Sequence, residues 1–391
     1  MPGRRLKLLY ASVEDANDPS VWSGIPYRVQ SHLRETGIDL CLASPLRRSP
    51  LDKVIGAGQK VRNAAWGKTQ YLRMREPILL RHFAAQIETI AQKEQPDAIL
   101  ATSTLPIARL ETDLPLFLWG GSTFRQMHNY YPEFSGLSKR SIRTAEEMES
   151  EAVAKCDAIF LASDWARRAA IRDYGARPAD THVVPWGGVA PETDVQSSEV
   201  ALRRNGPCRL LVIGNPWRRK GIDAAIEATM LLREEGFPCE LTIVGDTPPA
   251  GLELGEGVKL IRRLDRRDHD QRTQLENLLT ESSFLLALSS AEAYGQVVNE
   301  AGASWLPVIA SRTGGLADAV VEGVNGVLVE CPVQPRQVAD VVRSVWTDEL
   351  KYNAIAQASS QLFQSERSWP ASVSLLATLI QTAVGDRRSR P

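Results

Sequence analysis

The sequence predicts an α/β protein made of two Rossmann-like, doubly wound domains, each a parallel sheet covered by helices. Three observations carry this. Short apolar runs rich in β-branched residues alternate with longer helical patterns, the mark of stacked βα units around parallel sheets. The alternation lapses in the polar stretch 189–206 and then restarts with the same grammar. At 391 residues the chain also exceeds what one hydrophobic core usually serves.

In the first half the apolar runs place strands at 6–13, 38–43, 97–102, 114–119, 157–162 and 182–185, with helical patterns at 25–35, 77–94, 142–155 and 164–174. After the polar stretch, strands fall at 209–213, 240–244, 258–261, 284–288 and 308–310, with helices near 222–235, 271–281 and 295–304. The domains are therefore 1–190 and 207–366, with a linker at 191–206. An amphipathic segment, 371–384, follows the turn-like Arg367-Ser368-Trp369-Pro370 and packs on either domain. Doubly wound sheets bind ligands at the carboxyl ends of their strands, and domain interfaces commonly hold clefts. A central cleft faced by both domains is the expected place for a ligand.

Composition narrows the function. The chain is 43% hydrophobic and 24% charged, which excludes a disordered or fibrous protein. With 46 basic and 47 acidic residues the net charge is −1, so no global field draws nucleic acid. The five cysteines are scattered without a CxxC pair, against a disulfide scaffold or zinc site and in keeping with a reducing, cytoplasmic compartment. Arg4, Arg5 and Lys7 precede an apolar run, but Ser12, Glu14 and Asp15 cut it short, so it reads as a first strand and not a signal peptide.

The densest chemical signal is 289–315, SSAEAYGQVVNEAGASWLPVIASRTGG. A strand ends near Ser289, a loop presents Glu292, and Gly295 opens a helix that carries Glu300. The N–H groups of Gly295, Gln296 and Val297 at that helix start suit an anion such as a diphosphate. Its partner is 212–221, VIGNPWRRKG, where Arg218, Arg219 and Lys220 follow a buried strand. Three cations at a strand's carboxyl end stabilise the charge that develops on a departing phosphate.

These two motifs, with WSGIPYRVQSHL, YYPEFSGLS, SDWARRAAIRDYG and VVPWGG in the first half, resemble the retaining glycosyltransferases of family 4 (glycosyl transferases group 1), which have the GT-B fold. The resemblance covers nearly the whole chain. It implies a metal-independent transfer of a hexose from a nucleotide-diphosphate sugar to a hydroxyl acceptor, with no further cofactor. The first domain would bind the acceptor and the second the donor. Glu292 would contact donor-sugar hydroxyls and Glu300 the ribose. Arg219 and Lys220, with Arg218 nearby, would clamp the diphosphate beside the amides of Gln296 and Val297. Ser23 and Gly24 would close over the phosphates, and main chain near Arg263 and Leu264 would read the base.

Three departures from the family pattern stand out. Asn215 occupies a position where an arginine is common, so Arg218 or Arg219 must supply that charge. Trp305 replaces a glycine in a turn, and an aromatic is disfavoured there if φ is positive. Gly120-Gly121-Ser122 stands where a His or Asp often reaches the donor sugar, leaving His128 as a distant substitute. Trp305 and Gly121 motivate the alternative of a glycosyltransferase-like binding or assembly subunit without turnover. Asp268-His269-Asp270 mimics a metal-binding DxD but sits just before a helix, where Asp ordinarily caps. Finally, the basic segment 46–76 carries Arg47, Arg48, Lys53, Lys60, Arg62, Lys68, Arg73 and Arg75 against Asp52 and Glu76. It reads as a weak peripheral contact with anionic membrane, or as a solvated helix face.

Overall fold

The computed structural model describes residues 5–66, 70–192, 195, 200, 202–245 and 247–388. Contacts divide the chain into two units, Met1–Pro185 with Ser372–Pro391, and Trp186–Ala371. The predicted architecture is present: each unit holds a six-stranded parallel sheet with helices packed on it.

The first sheet is built from β1 (Lys7–Ala11), β2 (Asp39–Ala43), β3 (Ala98–Ala101), β4 (Leu116–Gly120), β5 (Ala158–Leu161) and β6 (Thr181–Val183), in the order β2-β1-β3-β4-β5-β6. Leu9 pairs with Cys41 on one side and Ile99 on the other. Leu8 to Ala11 and all of β3 are completely buried, because helices cover both faces of a parallel sheet and its strands read as unbroken apolar runs. Three helices, α1 (Ile25–Glu35), α3 (Pro77–Glu94) and α6 (Asp164–Tyr174), follow the strand ends. Between the first two lies α2 (Leu51–Trp66), and α4 (Phe124–Met127) and α5 (Lys139–Lys155) complete the order.

The second sheet contains β7 (Cys208–Ile213), β8 (Cys239–Gly245), β9 (Val258–Arg262), β10 (Phe284–Ala287), β11 (Val308–Ser311) and β12 (Gly326–Val329), in the order β12-β11-β10-β7-β8-β9. Its helices are α7 (Ile222–Glu234), α8 (His269–Glu281), α9 (Gln296–Ala303), α10 (Leu316–Ala319), α11 (Pro335–Thr347) and α12 (Glu349–Leu362). Strand order reverses between β7 and β10, so the loops leaving these two strands diverge to opposite faces and open a crevice at their carboxyl ends. The last helix, α13 (Trp369–Arg388), enters the first unit from Ser372 onward. There Arg387 pairs with Asp157 at 2.8 Å.

The segment 191–206 is the one expected as a linker. The boundary falls at Pro185/Trp186, so this segment lies within the second unit. Arg203 is 2% exposed there and donates to the carbonyls of Thr280, Ser304 and Trp305 at 2.5–2.9 Å. A buried guanidinium matched to three carbonyls anchors the segment. Residues 193, 194, 196–199 and 201 of the expected linker lie outside the described residues.

Candidate active site

The crevice loops of the second unit are joined before any side chain acts. After β7, Gly214 adopts φ 137° and its N–H donates to Val244. A Cβ here would stand 2.7 Å from Cε of Lys220, so the bare glycine lets the lysine stem lie across the loop. Gly221, at φ 67°, approaches the loop after β10 so closely that a Cβ would meet the Leu288 carbonyl at 2.1 Å. The N–H of Ser290 then donates to the Arg219 carbonyl at 2.8 Å. Two short segments distant in sequence become one surface.

On that surface Nζ of Lys220 donates to Oε2 of Glu292 at 2.6 Å, and Nη1 of Arg219 reaches the same oxygen at 3.2 Å. Arg219 also donates to the Asn215 and Ala291 carbonyls at 2.7 and 2.9 Å. Ser289 Oγ adds a contact to Oε2 at 3.3 Å. The three charged side chains are only 15–17% exposed. Burial alone raises the Glu292 carboxyl, but Lys220 and Arg219 outweigh it and hold it below the ordinary carboxylate range. Glu292 is thus an ionised acceptor with two cations fixed beside it. Arg219, not Arg218, turns inward at the position of Asn215; Arg218 is exposed.

Gly295 takes φ 94° as the N-cap of α9, and a Cβ would lie 2.7 Å from Leu316. The helix proper begins one residue later than expected, at Gln296. Gln296 and Val297 occupy its first turn, whose N–H groups have no intrahelical acceptor, and both are half-buried. Glu300, the fifth helical residue, is 7% exposed. Arg266 Nη1 and Nη2 meet its Oε1 and Oε2 at 2.6 and 2.7 Å, an end-on fork. The neighbouring Asn299 donates to the Trp186 carbonyl and to Tyr294 OH at 2.7 and 2.9 Å, fixing the helix start.

Sequence reasoning had not singled out Arg266. In the mixed-charge stretch 262–272, RRLDRRDHDQR, nothing local marks which arginine reaches a carboxylate 34 residues away. Leu264 lies half-buried in the same loop after β9. Arg267 is held instead by Asp265 at 2.6 Å. Asp268 accepts from the Gln271 N–H at 2.9 Å as the N-cap of α8, and among the described residues no group of three or more His, Cys, Asp or Glu could hold a metal. A groove of about 360 Å3 along α8, lined by His269, Thr273, Asn277 and Glu281 among others, includes none of the site residues.

Trp305 holds φ 54°, so the turn is left-handed with an aromatic in it. Its carbonyl accepts from Arg203 at 2.9 Å, and its ring packs on the second unit's core. These contacts offset the strain of a bulky residue at positive φ.

In the first unit, Ser23 and Gly24 follow β1, beside the β1/β3 reversal of the first sheet. Trp22, Ser23 and Gly24 are consecutively left-handed, at φ 45°, 57° and 77°. Two non-glycine residues in that region mark a strained turn. His128 stacks on Phe124 at 5.8 Å. Within 46–76, Arg75 is 9% exposed with its guanidinium over the Phe124 ring at 4.9 Å, and Arg73 pairs with buried Asp52 at 2.6 Å. Neither belongs to a solvated basic face. Arg47, Arg48 and Lys53 are exposed, as are Val54 and Val61 at 66% and 69%. The side chains of Lys60, Arg62, Trp66 and Lys68 lie outside the described residues.

Residues 196–362 match the family model described as Glycosyl transferases group 1. The chain is 31% identical over 194 residues to glycogen synthase of Mycobacterium tuberculosis, covering 48% of this chain and 46% of that protein. It is 28% identical over 239 residues to a D-inositol 3-phosphate glycosyltransferase of Nocardiopsis dassonvillei, covering 54% of each. The chain spans about half the length of the curated relatives it matches. Among solved structures it resembles sucrose-phosphate synthase from Thermosynechococcus elongatus, with a TM-score of 0.70 at 16% identity over 98% of this chain and 100% of that one. Anabaena HepE in complex with UDP-glucose superposes with a TM-score of 0.61 at 17% identity, covering 97% and 100%. At such identities the likeness is one of fold: two Rossmann-like domains of the GT-B type.

Proposed function

We propose that this protein is a retaining, metal-independent hexosyltransferase that moves a sugar from a nucleotide diphosphate to a hydroxyl acceptor. The observation that carries the reading is the meeting of Lys220, Arg219 and Glu292 within 3.2 Å at the strand-order reversal of the second sheet. The match of 196–362 to a glycosyltransferase family model supports it independently.

The chemistry asks for both signs of charge in one place. A departing nucleoside diphosphate gains negative charge as the sugar's anomeric carbon–oxygen bond breaks. Lys220, Arg219 and the first amides of α9, at Gln296 and Val297, offset that charge. The donor sugar presents hydroxyls, and the ionised Glu292 accepts their hydrogen bonds. Glu300 takes the ribose hydroxyls in the same way. The main chain at Leu264 reads the base. The acceptor oxygen bonds to the anomeric carbon on the face the phosphate leaves, and its proton passes to the departing phosphate oxygen. No enzymic nucleophile or resident cofactor is required.

The alternative, a binding or assembly subunit without turnover, rested on Gly121 and Trp305. The second ground is weakened by the left-handed turn that Trp305 maintains. We place the protein in the cytoplasm, where five free cysteines are at home. Peripheral contact with anionic membrane is assigned to Arg47, Arg48, Lys53, Val54 and Val61, without Arg73 and Arg75. No described helix is long and apolar enough to cross a membrane.

Turnover of UDP-, GDP- and ADP-sugars, read as released nucleoside diphosphate, tests the reading. One donor should be consumed by the wild type, and Glu292→Ala should abolish consumption. Nucleotide binding without consumption across the panel and a range of hydroxyl acceptors would favour the subunit reading instead.

A further inference from the structure

We propose that Arg266 is a counter-ligand of the donor site: its guanidinium and the nucleotide's ribose compete for one face of Glu300, so binding a donor means exchanging one for the other. The inference rests on the assignment of Glu300 to ribose.

The argument begins with the fork. Nη1 and Nη2 of Arg266 address Oε1 and Oε2 end-on at 2.6 and 2.7 Å. A carboxylate has about four lone-pair directions, and the end-on fork takes the convergent pair, one from each oxygen. The other two diverge sideways, too far apart for the neighbouring hydroxyls of one ribose to reach together. A vicinal diol that grips both oxygens therefore needs the face Arg266 holds. The two contacts exclude one another.

Burial gives the order of events. The Glu300 side chain is 8% exposed, whereas Arg266 is 46% exposed. The carboxylate is thus covered and the guanidinium stands on its solvent side. Arg266 belongs to a loop between β9 and α8, and its neighbour Arg267 is tied to Asp265 at 2.6 Å, which leaves Arg266 as the loop's contact with Glu300. A long side chain on such a loop can swing without disturbing the sheet. Glu300, by contrast, is fixed on α9 beside Asn299, which is anchored to Trp186 and Tyr294.

Exchange has two consequences. A buried carboxylate without a partner is costly, so Arg266 keeps Glu300 compensated whenever no diol is on it. The returning guanidinium also competes with the spent nucleoside diphosphate and weakens product binding. Arg266 thereby lowers nucleotide affinity through the ribose alone.

The test compares a nucleoside diphosphate with its 2′,3′-dideoxy counterpart, using whichever of UDP, GDP and ADP binds wild type most tightly. Dissociation constants are measured calorimetrically for wild type, Arg266→Ala and Arg266→Gln. General effects of removing a positive charge act on both nucleotides and cancel in the ratio of the two affinities. Exchange predicts that the preference for the ribonucleotide grows in Arg266→Ala by about five- to tenfold, the scale of a half-exposed forked ion pair. Arg266→Gln should show the same direction if the alanine variant fails to fold. In Glu300→Gln the preference should shrink, whether or not Arg266 is present. A preference that is unchanged or smaller without Arg266 overturns the exchange, and would make the arginine a fixed support of Glu300. Wild type that binds none of the three nucleotides would overturn the donor-site reading itself, and this inference with it.

Discussion

Replacing Lys220 by methionine separates the charge at the site from its packing. The methionine stem can still lie over Gly214, where the lysine Cε sits 2.7 Å from the position a Cβ would take. What disappears is a cation 2.6 Å from Oε2 of Glu292, both side chains being about one-sixth exposed. At an effective dielectric near 20 that contact is worth about 6 kcal/mol of gross attraction. Most of it is offset by the cost of having desolvated the lysine. Arg219 remains on the same oxygen at 3.2 Å, so Glu292 is not left bare. The expected net loss is therefore about 2–3 kcal/mol, short of the 3–5 kcal/mol seen when a buried charge loses its only partner. Urea unfolding followed by tryptophan fluorescence measures it. Adding Glu292→Gln to Lys220→Met should cost further stability, because it leaves the Arg219 guanidinium buried without a carboxylate. Turnover behaves differently. Loss of a fixed positive group at the departing diphosphate should lower kcat by about 10²–10³. Lys220→Met with wild-type kcat on the best donor, despite reduced stability, would refute the phosphate role and leave the lysine a structural partner of Glu292.

Two further outcomes follow from the first unit. Glu149 is 4% exposed, accepts from Thr104 Oγ1 at 2.7 Å and the Phe124 N–H at 3.2 Å, and faces Arg75. Burial raises its carboxyl above the ordinary 4.5, more than Arg75 lowers it. The folded state thus holds the proton more tightly than the unfolded one, so stability should fall as pH rises from about 4.5 through the raised value. The wild-type stability minus that of Glu149→Gln should decline across that range, and a difference that rises with pH contradicts the burial argument. At the surface, Arg47, Arg48 and Lys53 flank exposed Val54 and Val61. Three basic residues near an anionic surface contribute about 1 kcal/mol each. Co-sedimentation with phosphatidylserine vesicles at low ionic strength should therefore weaken roughly a hundredfold in Arg47→Gln/Arg48→Gln/Lys53→Gln. Wild type that stays in the supernatant removes the membrane contact.

Legibility in the sequence followed the range of the forces involved. The bounds of α1, α3 and α6 agree with their predicted residues because the signals are local. Pro26 and Pro77 open two of them, and Ser163 caps the third by accepting from the Ala166 N–H, with left-handed Gly175 closing it. Strand β12 escaped notice because it is four residues long and begins with Gly326, whose lack of a Cβ is needed where it passes the Val308 carbonyl. The helices α11 and α12 had no motif to draw attention to them. The left-handed run at Trp22 and Ser23 contradicts local preference and could not be read from residue types.

The site divides in the same way. That Glu292, Glu300, Arg219 and Lys220 stand around two strand ends was legible; their service to one donor is what the resemblance implies and what we propose. Their pairing was not legible, since Lys220 and Glu292 lie 72 residues apart and Arg266 and Glu300 lie 34 apart. Only the strand order, which sets β7 beside β10, brings the first pair together. Yet the pairing has a logic the donor explains. A nucleotide sugar offers an anionic diphosphate between two sets of hydroxyls, so its site needs cations at the middle and carboxylates at either end. Each group that suits one part of such a ligand also suits its own neighbour. Lys220 and Arg219 on Glu292, and Arg266 on Glu300, are the two pairs this complementarity creates. The first pair can keep its contact while a phosphate joins it, because a lysine has three donors and an arginine five. The second cannot, because its fork and a ribose diol require the same two lone pairs. The difference predicts that exchange governs the nucleoside end of the donor alone, while the diphosphate end binds by addition.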